Sequence, residues 1–254
     1  VSDPGSVSTT WTEDRSVATI TLQRPEVRNA LSSAAAAEVK AAVEAAGAAR
    51  VIIVTGAGGA FCAGGDLTEL AAWSVLPEAE IGGTLYDTFQ GMIRAIRASD
   101  AIVIAAVGGA AVGAGMDLAL ACDLRVAAVG ARFGQVWVRL GVIPGTGGAW
   151  LTQALAGPTR AAELLLTGRL ISAEEALEAG LVNRVVAADK LMDEARALAA
   201  DVLRHPRDGV VANKRAMVKA MEAGLEAALA HAAAVQPGRF TSDEFRAALG
   251  SARS

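Results

Sequence analysis

Two segments constrain this chain more than any others. Each is a short apolar run that ends in a glycine-rich loop and then enters a helix. Val51–Thr55 is a β-branched run closed by Gly56, and the loop Gly56-Ala57-Gly58-Gly59-Ala60-Phe61-Cys62-Ala63-Gly64-Gly65 follows before Asp66–Ala72 opens a helix. Ala101–Val107 repeats the arrangement, with Gly108-Gly109-Ala110-Ala111-Val112-Gly113-Ala114-Gly115 leading into an apolar helix that runs to about Ala121. Runs this short and apolar are expected as buried strands, and strands alternating with helices early in the chain, with helices almost alone later, suggest an α/β core with a helical C-terminal part. Glycines let the backbone approach a neighbour or a ligand closely. A small-residue strand–helix turn and a ligand-binding loop are both compatible with the first segment. A phosphate loop is not, because the Gly-Lys-Ser/Thr ending is missing.

Around these segments, Val17–Leu22 alternates as a strand and is stopped by Arg24-Pro25. Ala34–Ala49 and Leu85–Ala98 have helical spacing, and Leu124–Ala128 is a further strand. Trp73–Gly83 lacks periodicity and is expected as a mobile surface segment, and Phe133–Gly148 as irregular chain. Beyond Trp150 the pattern is helical (Trp150–Leu155, Arg160–Leu166, Ala173–Glu178, Asp189–Leu203, Val210–Leu229), with Leu181–Val186 as the one strand. The composition shifts near Gly157-Pro158. Hydrophobic residues make up 53% of the 254 positions but aromatics only 4%, so the core must be built from Ala, Val and Leu.

A net charge of −4 gives no basic footprint for nucleic acid. Ala101–Cys122, the longest apolar stretch, is broken by four glycines and Asp117, against a membrane span. The polar start Val1–Thr10 lacks a signal-peptide pattern, and a cytoplasmic protein is expected. Cys62 and Cys122 are expected as reduced core thiols, and no His/Cys cluster has metal spacing, so no metal is expected.

The second loop places the N–H of Ala114 at a helix start, where free donors and the positive dipole end favour a developing negative charge. From here the chain resembles the crotonase superfamily, the enoyl-CoA hydratase/isomerase family. The resemblance is carried by Thr21–Leu31, by Thr55–Leu67 and by Gly113-Ala114-Gly115-Met116-Asp117 on to Arg125. It continues through Phe133–Gly148, then Leu166-Thr167-Gly168, Glu175-Ala176 and Gly180-Leu181-Val182, in order from about residue 11 to 230.

The resemblance implies a spiral of ββα repeats over residues 1–195, then a C-terminal helical trimerisation region, 196–254, that is not an independent domain. It implies an acyl-CoA thioester as ligand, with coenzyme A as part of the substrate and no separate cofactor, and a homotrimer or hexamer. The thioester oxygen falls between the N–H groups of Gly65 and Ala114. Coenzyme A contacts fall on Arg24, Arg28, Ala30, Ala63 and Leu67, although Arg28 also fits a solvated surface residue.

The family's hydratases use two glutamates. Asp117 matches the first, and a helix-capping carboxylate is the plain alternative. Trp137 occupies the second; indole is a donor only, so Trp137 is expected to shape the acyl pocket or simply to fill core. An aspartate used elsewhere in the family falls on Gly145, which removes that nucleophile. Glu78, Glu80, Asp87 and Tyr86 are the remaining candidates for a second acid. Lys214 is open between the family's common lysine and a helix-surface charge, and Phe245 is a candidate nucleotide contact. The sequence thus supports an enoyl-CoA hydratase or isomerase working through a backbone oxyanion hole. The alternative is an acyl-CoA-binding protein that lacks hydratase activity because of Trp137.

Overall fold

The computed structural model describes residues 5–252. The first four and last two residues, and with them parts of the polar N-terminus and of the chain end, lie outside the described residues. The chain begins with an antiparallel pair, β1 (Val7–Trp11) and β2 (Val17–Leu22), followed by α1 (Ser33–Ala45) and β3 (Val51–Gly56). Then come α2 (Leu67–Trp73), α3 (Glu78–Thr84), α4 (Gly91–Ala98), β4 (Ile102–Val107), β5 (Ala110–Val112) and α5 (Ala114–Ala121). After them run β6 (Leu124–Ala128), β7 (Arg132–Gly134), α6 (Gly148–Thr167), β8 (Ile171–Ser172), α7 (Ala173–Glu178) and β9 (Arg184–Val186). Helices α8 (Leu191–Leu203), α9 (Arg207–Phe240) and α10 (Asp243–Ala252) finish the chain.

The main sheet has the order β1-β2-β3-β4-β6-β9 and is parallel apart from its first pair. A smaller sheet, β5-β7-β8, lies beside it. Each turn of the chain contributes one strand to each sheet and then a helix: β4, β5, α5 and β6, β7, α6. The first glycine loop takes the same course after β3, through a parallel bridge from Cys62 to Ala111 and then α2. The result is an α/β spiral with a helical C-terminal region. Every residue of β4 is buried, because helices cover both faces of the main sheet.

Several elements differ from the sequence expectations. Strand β1 carries no apolar alternation; it is an edge strand held by its register to β2 (Val7 opposite Leu22). Trp73–Gly83 is not a mobile surface segment. It forms the end of α2 and most of α3, and it is anchored by buried Ile81 and by Trp73 edge-on against Phe89 and Phe240. Leu85–Gln90 is a π-helical bulge between α3 and α4, which turns Leu85, Phe89 and Gln90 inward. Gly157-Pro158 is a kink inside α6, with Gly157 at φ 75°. Helix α9 runs on to Phe240, eleven residues past the expected end at Leu229. Cys62 and Cys122 are free and buried, as expected of core thiols. Among the described residues no helix is long and apolar enough to cross a membrane.

Candidate active site

The two glycine loops lie against each other. Cys62 N–H donates to Ala110 O at 2.8 Å, and Val112 N–H donates to Cys62 O at 3.0 Å. The fit is too close for side chains. A Cβ on Gly115 would stand 2.2 Å from Cys62 O, and one on Gly64 would stand 2.8 Å from Val112 O and 3.8 Å from the Ala114 nitrogen. Gly64 is also at φ 103°, a conformation that favours glycine. These contacts bring Gly65 next to Ala114, the first residue of α5. A helix leaves its first N–H groups without intrahelical partners.

The rim of the first loop is a second strand-like pairing. Ala63 N–H donates to Arg28 O (3.0 Å), Leu31 N–H to Gly64 O (2.7 Å) and Asp66 N–H to Leu31 O (2.8 Å). Arg24, Arg28, Ala30, Ala63 and Leu67 therefore lie along one edge of the loop. Their roles on it differ. The Arg24 guanidinium is spent inside the protein, on Asp66 Oδ2 (2.9 Å) and Ala30 O (2.8 Å), and acts as a clamp on the rim. Arg28 is exposed with a left-handed backbone (φ 53°), and Leu67 is also exposed. Asn29, which no pattern in the sequence singles out, is buried and stitches the loop. It accepts from Arg24 N–H (3.0 Å) and donates to Ala57 O (2.8 Å) and Ala60 O (3.0 Å).

Inside this rim is a narrow, nearly closed cleft with a cavity volume of only about 10 Å³, lined by Gly65, Leu70, Trp73, Leu85, Phe89, Trp137, Thr146, Gln236 and Phe240. Asp117 is fully buried one turn into α5 and is not among the lining residues. It is not a helix cap: its carboxylate turns away from the α5 N-terminus and accepts from Thr146 Oγ1 on one oxygen and from Gln135 Nε2 (2.7 Å) on the other. Gly148 leaves it room, since a Cβ there would lie 2.0 Å from Oδ1. Burial pushes the Asp117 carboxyl up to about 6, while the hydrogen bonds from Thr146 and Gln135 pull it back down. The Trp137 indole N–H faces the same carboxylate but stops short of hydrogen-bond geometry, leaving a buried donor without a partner. Trp137 itself lies over Gly113 and forms part of the cleft wall.

Thr146 therefore stands between Asp117 and the cleft. Sequence reasoning passed over it inside a segment expected to be irregular; a hydroxyl-bearing residue among the glycines Gly145, Gly147 and Gly148 was the available signal. The candidates for a second acid do not reach the cleft. Glu78, Glu80, Asp87 and Tyr86 are all exposed, and Arg94 stacks on the Tyr86 ring at 4.5 Å. Lys214 is not a helix-surface charge: it is buried on Asp123 (2.7 Å) and Ala101 O (2.7 Å). Phe245 is fully buried edge-on against Phe240 at 5.1 Å, which removes it as a nucleotide contact. No group of three or more potential metal ligands occurs among the described residues.

Comparison with known proteins agrees with this architecture. A model of the enoyl-CoA hydratase/isomerase family matches residues 12–251. The chain is 40% identical over 220 residues to a probable enoyl-CoA hydratase, echA8, of Mycobacterium tuberculosis, covering 85% of this chain and 83% of that one. It is 36% identical over 221 residues to the crotonyl-CoA hydratase of Syntrophomonas wolfei, covering 85% and 84%. Among solved structures, an enoyl-CoA hydratase/isomerase from Mycobacterium paratuberculosis superposes with a TM-score of 0.90 at 28% identity, over 99% of this chain and all of that one. By spiral topology, by paired glycine loops and by these similarities, the chain belongs to the enoyl-CoA hydratase/isomerase family, the crotonase superfamily.

Proposed function

We propose that this enzyme shifts protons on the acyl part of an enoyl-CoA thioester through a single carboxylate, which suits double-bond isomerisation better than hydration. The observation that carries this is Asp117: one buried acid whose only hydrogen-bonded route to the cleft, among the described residues, is the Thr146 hydroxyl. The thioester oxygen would accept from the N–H groups of Gly65 and Ala114, so that the enolate formed when a proton leaves the α-carbon is held by two preorganised donors. Thr146 would take that proton as its own passes to Asp117, and the reverse transfer, to the γ-carbon, would complete the shift. One acid can remove and return the same proton. Hydration needs a second group to activate water, and Trp137 stands where the family's second glutamate falls.

Coenzyme A, as part of the substrate, would lie outside on the rim of Arg24, Arg28, Ala30, Ala63 and Leu67, and the acyl end would part the apolar walls of the narrow cleft to enter it. The trimer or hexamer that the resemblance implies belongs to the same proposal. The complete burial of Asp117 favours one other reading, a protein that binds acyl-CoA without turning it over. Steady-state turnover of crotonyl-CoA and of a 3-enoyl-CoA separates the two. The expected outcome is faster conversion of the 3-enoyl thioester and a loss of at least about a hundredfold in Asp117→Asn. Equal, negligible rates in wild type and variant, with acyl-CoA still bound, would leave only the binding reading.

A further inference from the structure

Gln236 lies in the last turns of α9 and is fully buried. Its Oε1 accepts the Ile143 N–H at 2.7 Å, which fixes the oxygen end of the amide and turns the NH₂ the other way. That NH₂ has no hydrogen-bond partner among the described residues, yet Gln236 lines the cleft that holds Gly65, Trp137 and Thr146. The side chain opposite is absent: a Cβ on Gly145 would come within 3.4 Å of Nε2. A buried amide donor without an acceptor needs an explanation, and here it borders the space where the acyl chain is placed.

Its surroundings narrow the choice of acceptor. Leu70, Trp73, Leu85, Phe89 and Phe240 make the other walls apolar, and no Lys, Arg or His lines the cleft. Asp117 lies behind Thr146, so an anionic group would meet a second negative charge and no cation. A neutral oxygen meets neither difficulty.

We propose that Gln236 is a specificity residue that donates its free N–H to a neutral oxygen on the acyl chain, so that the preferred thioesters are hydroxy- or oxo-substituted rather than plain hydrocarbon. This rests on the acyl-CoA reading of the cleft. A site built to meet a substrate oxygen disfavours the analogue that lacks it, because its own polar group is then left unpaired.

The test is equilibrium binding of saturated thioesters to the full chain: pentanoyl-CoA against 4-hydroxypentanoyl-CoA and 4-oxopentanoyl-CoA, and hexanoyl-CoA against 5-hydroxyhexanoyl-CoA, with succinyl-CoA and free coenzyme A alongside. The expected result is that at least one oxygenated ligand binds about tenfold tighter than its hydrocarbon parent. Gln236→Met and Gln236→Glu should bring that ratio to within about twofold of parity, whatever either change does to the parent's own affinity. Glu keeps the acceptor for Ile143 N–H, so the two variants do not share one packing defect. The proposal is overturned if the parents bind as tightly as every oxygenated ligand, if the preference survives both variants, or if succinyl-CoA is preferred. Binding of free coenzyme A and of no acyl-CoA would instead bring down the acyl-cleft reading on which the proposal stands.

Discussion

Asp117 has two consequences at the scale of single residues, one for chemistry and one for stability. Its carboxyl sits at about 6 in the folded protein against an ordinary value of 3.8, with burial as the largest cause. Between those values the folded chain binds a proton that the unfolded chain has released. The contribution of Asp117 to stability is therefore fully present below about pH 4 and is lost as pH rises through about 6. Removing the charge should show this directly. The difference in unfolding free energy between Asp117→Asn and wild type should move in the variant's favour by up to about 3 kcal/mol from pH 4 to pH 7. Urea denaturation at the two pH values measures it, and an unchanged difference would mean that Asp117 does not titrate in that window. The comparison must be made as a difference, since Glu163, Glu175 and Asp66 have carboxyls held below their usual range and impose the opposite slope.

At the scale of elements, the relation between α5 and the two glycine loops is the part most open to a clean experiment. Ala114 is the first residue of α5, a position where proline is accommodated because the N–H it lacks has no intrahelical use. The residue before it is Gly113, at φ 54°, which tolerates the constraint that proline places on its predecessor. Ala114→Pro should thus leave the helix in place and delete one donor from the proposed hole. Turnover at saturation is expected to fall by roughly a hundredfold, with a much smaller change in the affinity for coenzyme A thioesters. Kinetics in parallel with direct binding checks this; weaker binding with an unchanged saturated rate would move the hole elsewhere.

The same elements show how far local pattern carries. The strands Val51–Thr55 and Ala101–Val107, their loops and α5 were all legible, because apolar runs bounded by glycines leave little other choice. The short strands β5, β7 and β8 were not: two or three residues have no periodicity to read, and they exist as strands only because the spiral brings them side by side. The failure at Trp73–Gly83 has the same origin. Its anchor Trp73 meets Phe240 on α9, a partner that no local window contains, and Ile81 is fully buried.

On the scale of the whole molecule, the C-terminal region is fastened to the spiral by a buried ion pair. Lys214 of α9 reaches Asp123, at the entrance to β6, and also donates to the carbonyls of Ala101 and Ile96. Removing one member of such a pair strands the other charge out of water. Lys214→Ala should cost about 3–5 kcal/mol, and the double variant Lys214→Ala/Asp123→Ala should lose less than the two single losses added together. Denaturant titration of the single and double variants tests this coupling, and additive losses would show that the pair is not the fastening. The region matters to the site as well, since Gln236 and Phe240 of α9 close one side of the cleft.

The sequence by itself determined the family, the two glycine loops and the helix start at Ala114, because an apolar run closed by glycines is legible within a few positions. The proposed oxyanion donors, Gly65 and Ala114, and the single carboxylate of the proposed chemistry, Asp117, rest on the resemblance that those segments carry. Tertiary structure alone decided what that carboxylate can touch. Thr146 is 29 residues from Asp117 and Gln236 is 93 from Ile143, and neither distance leaves a trace in spacing or periodicity. Burial, which sets the Asp117 carboxyl near 6 and leaves the Gln236 Nε2 without a partner among the described residues, is a property of everything packed around a group, so it exists only once the spiral and its C-terminal helices have closed together.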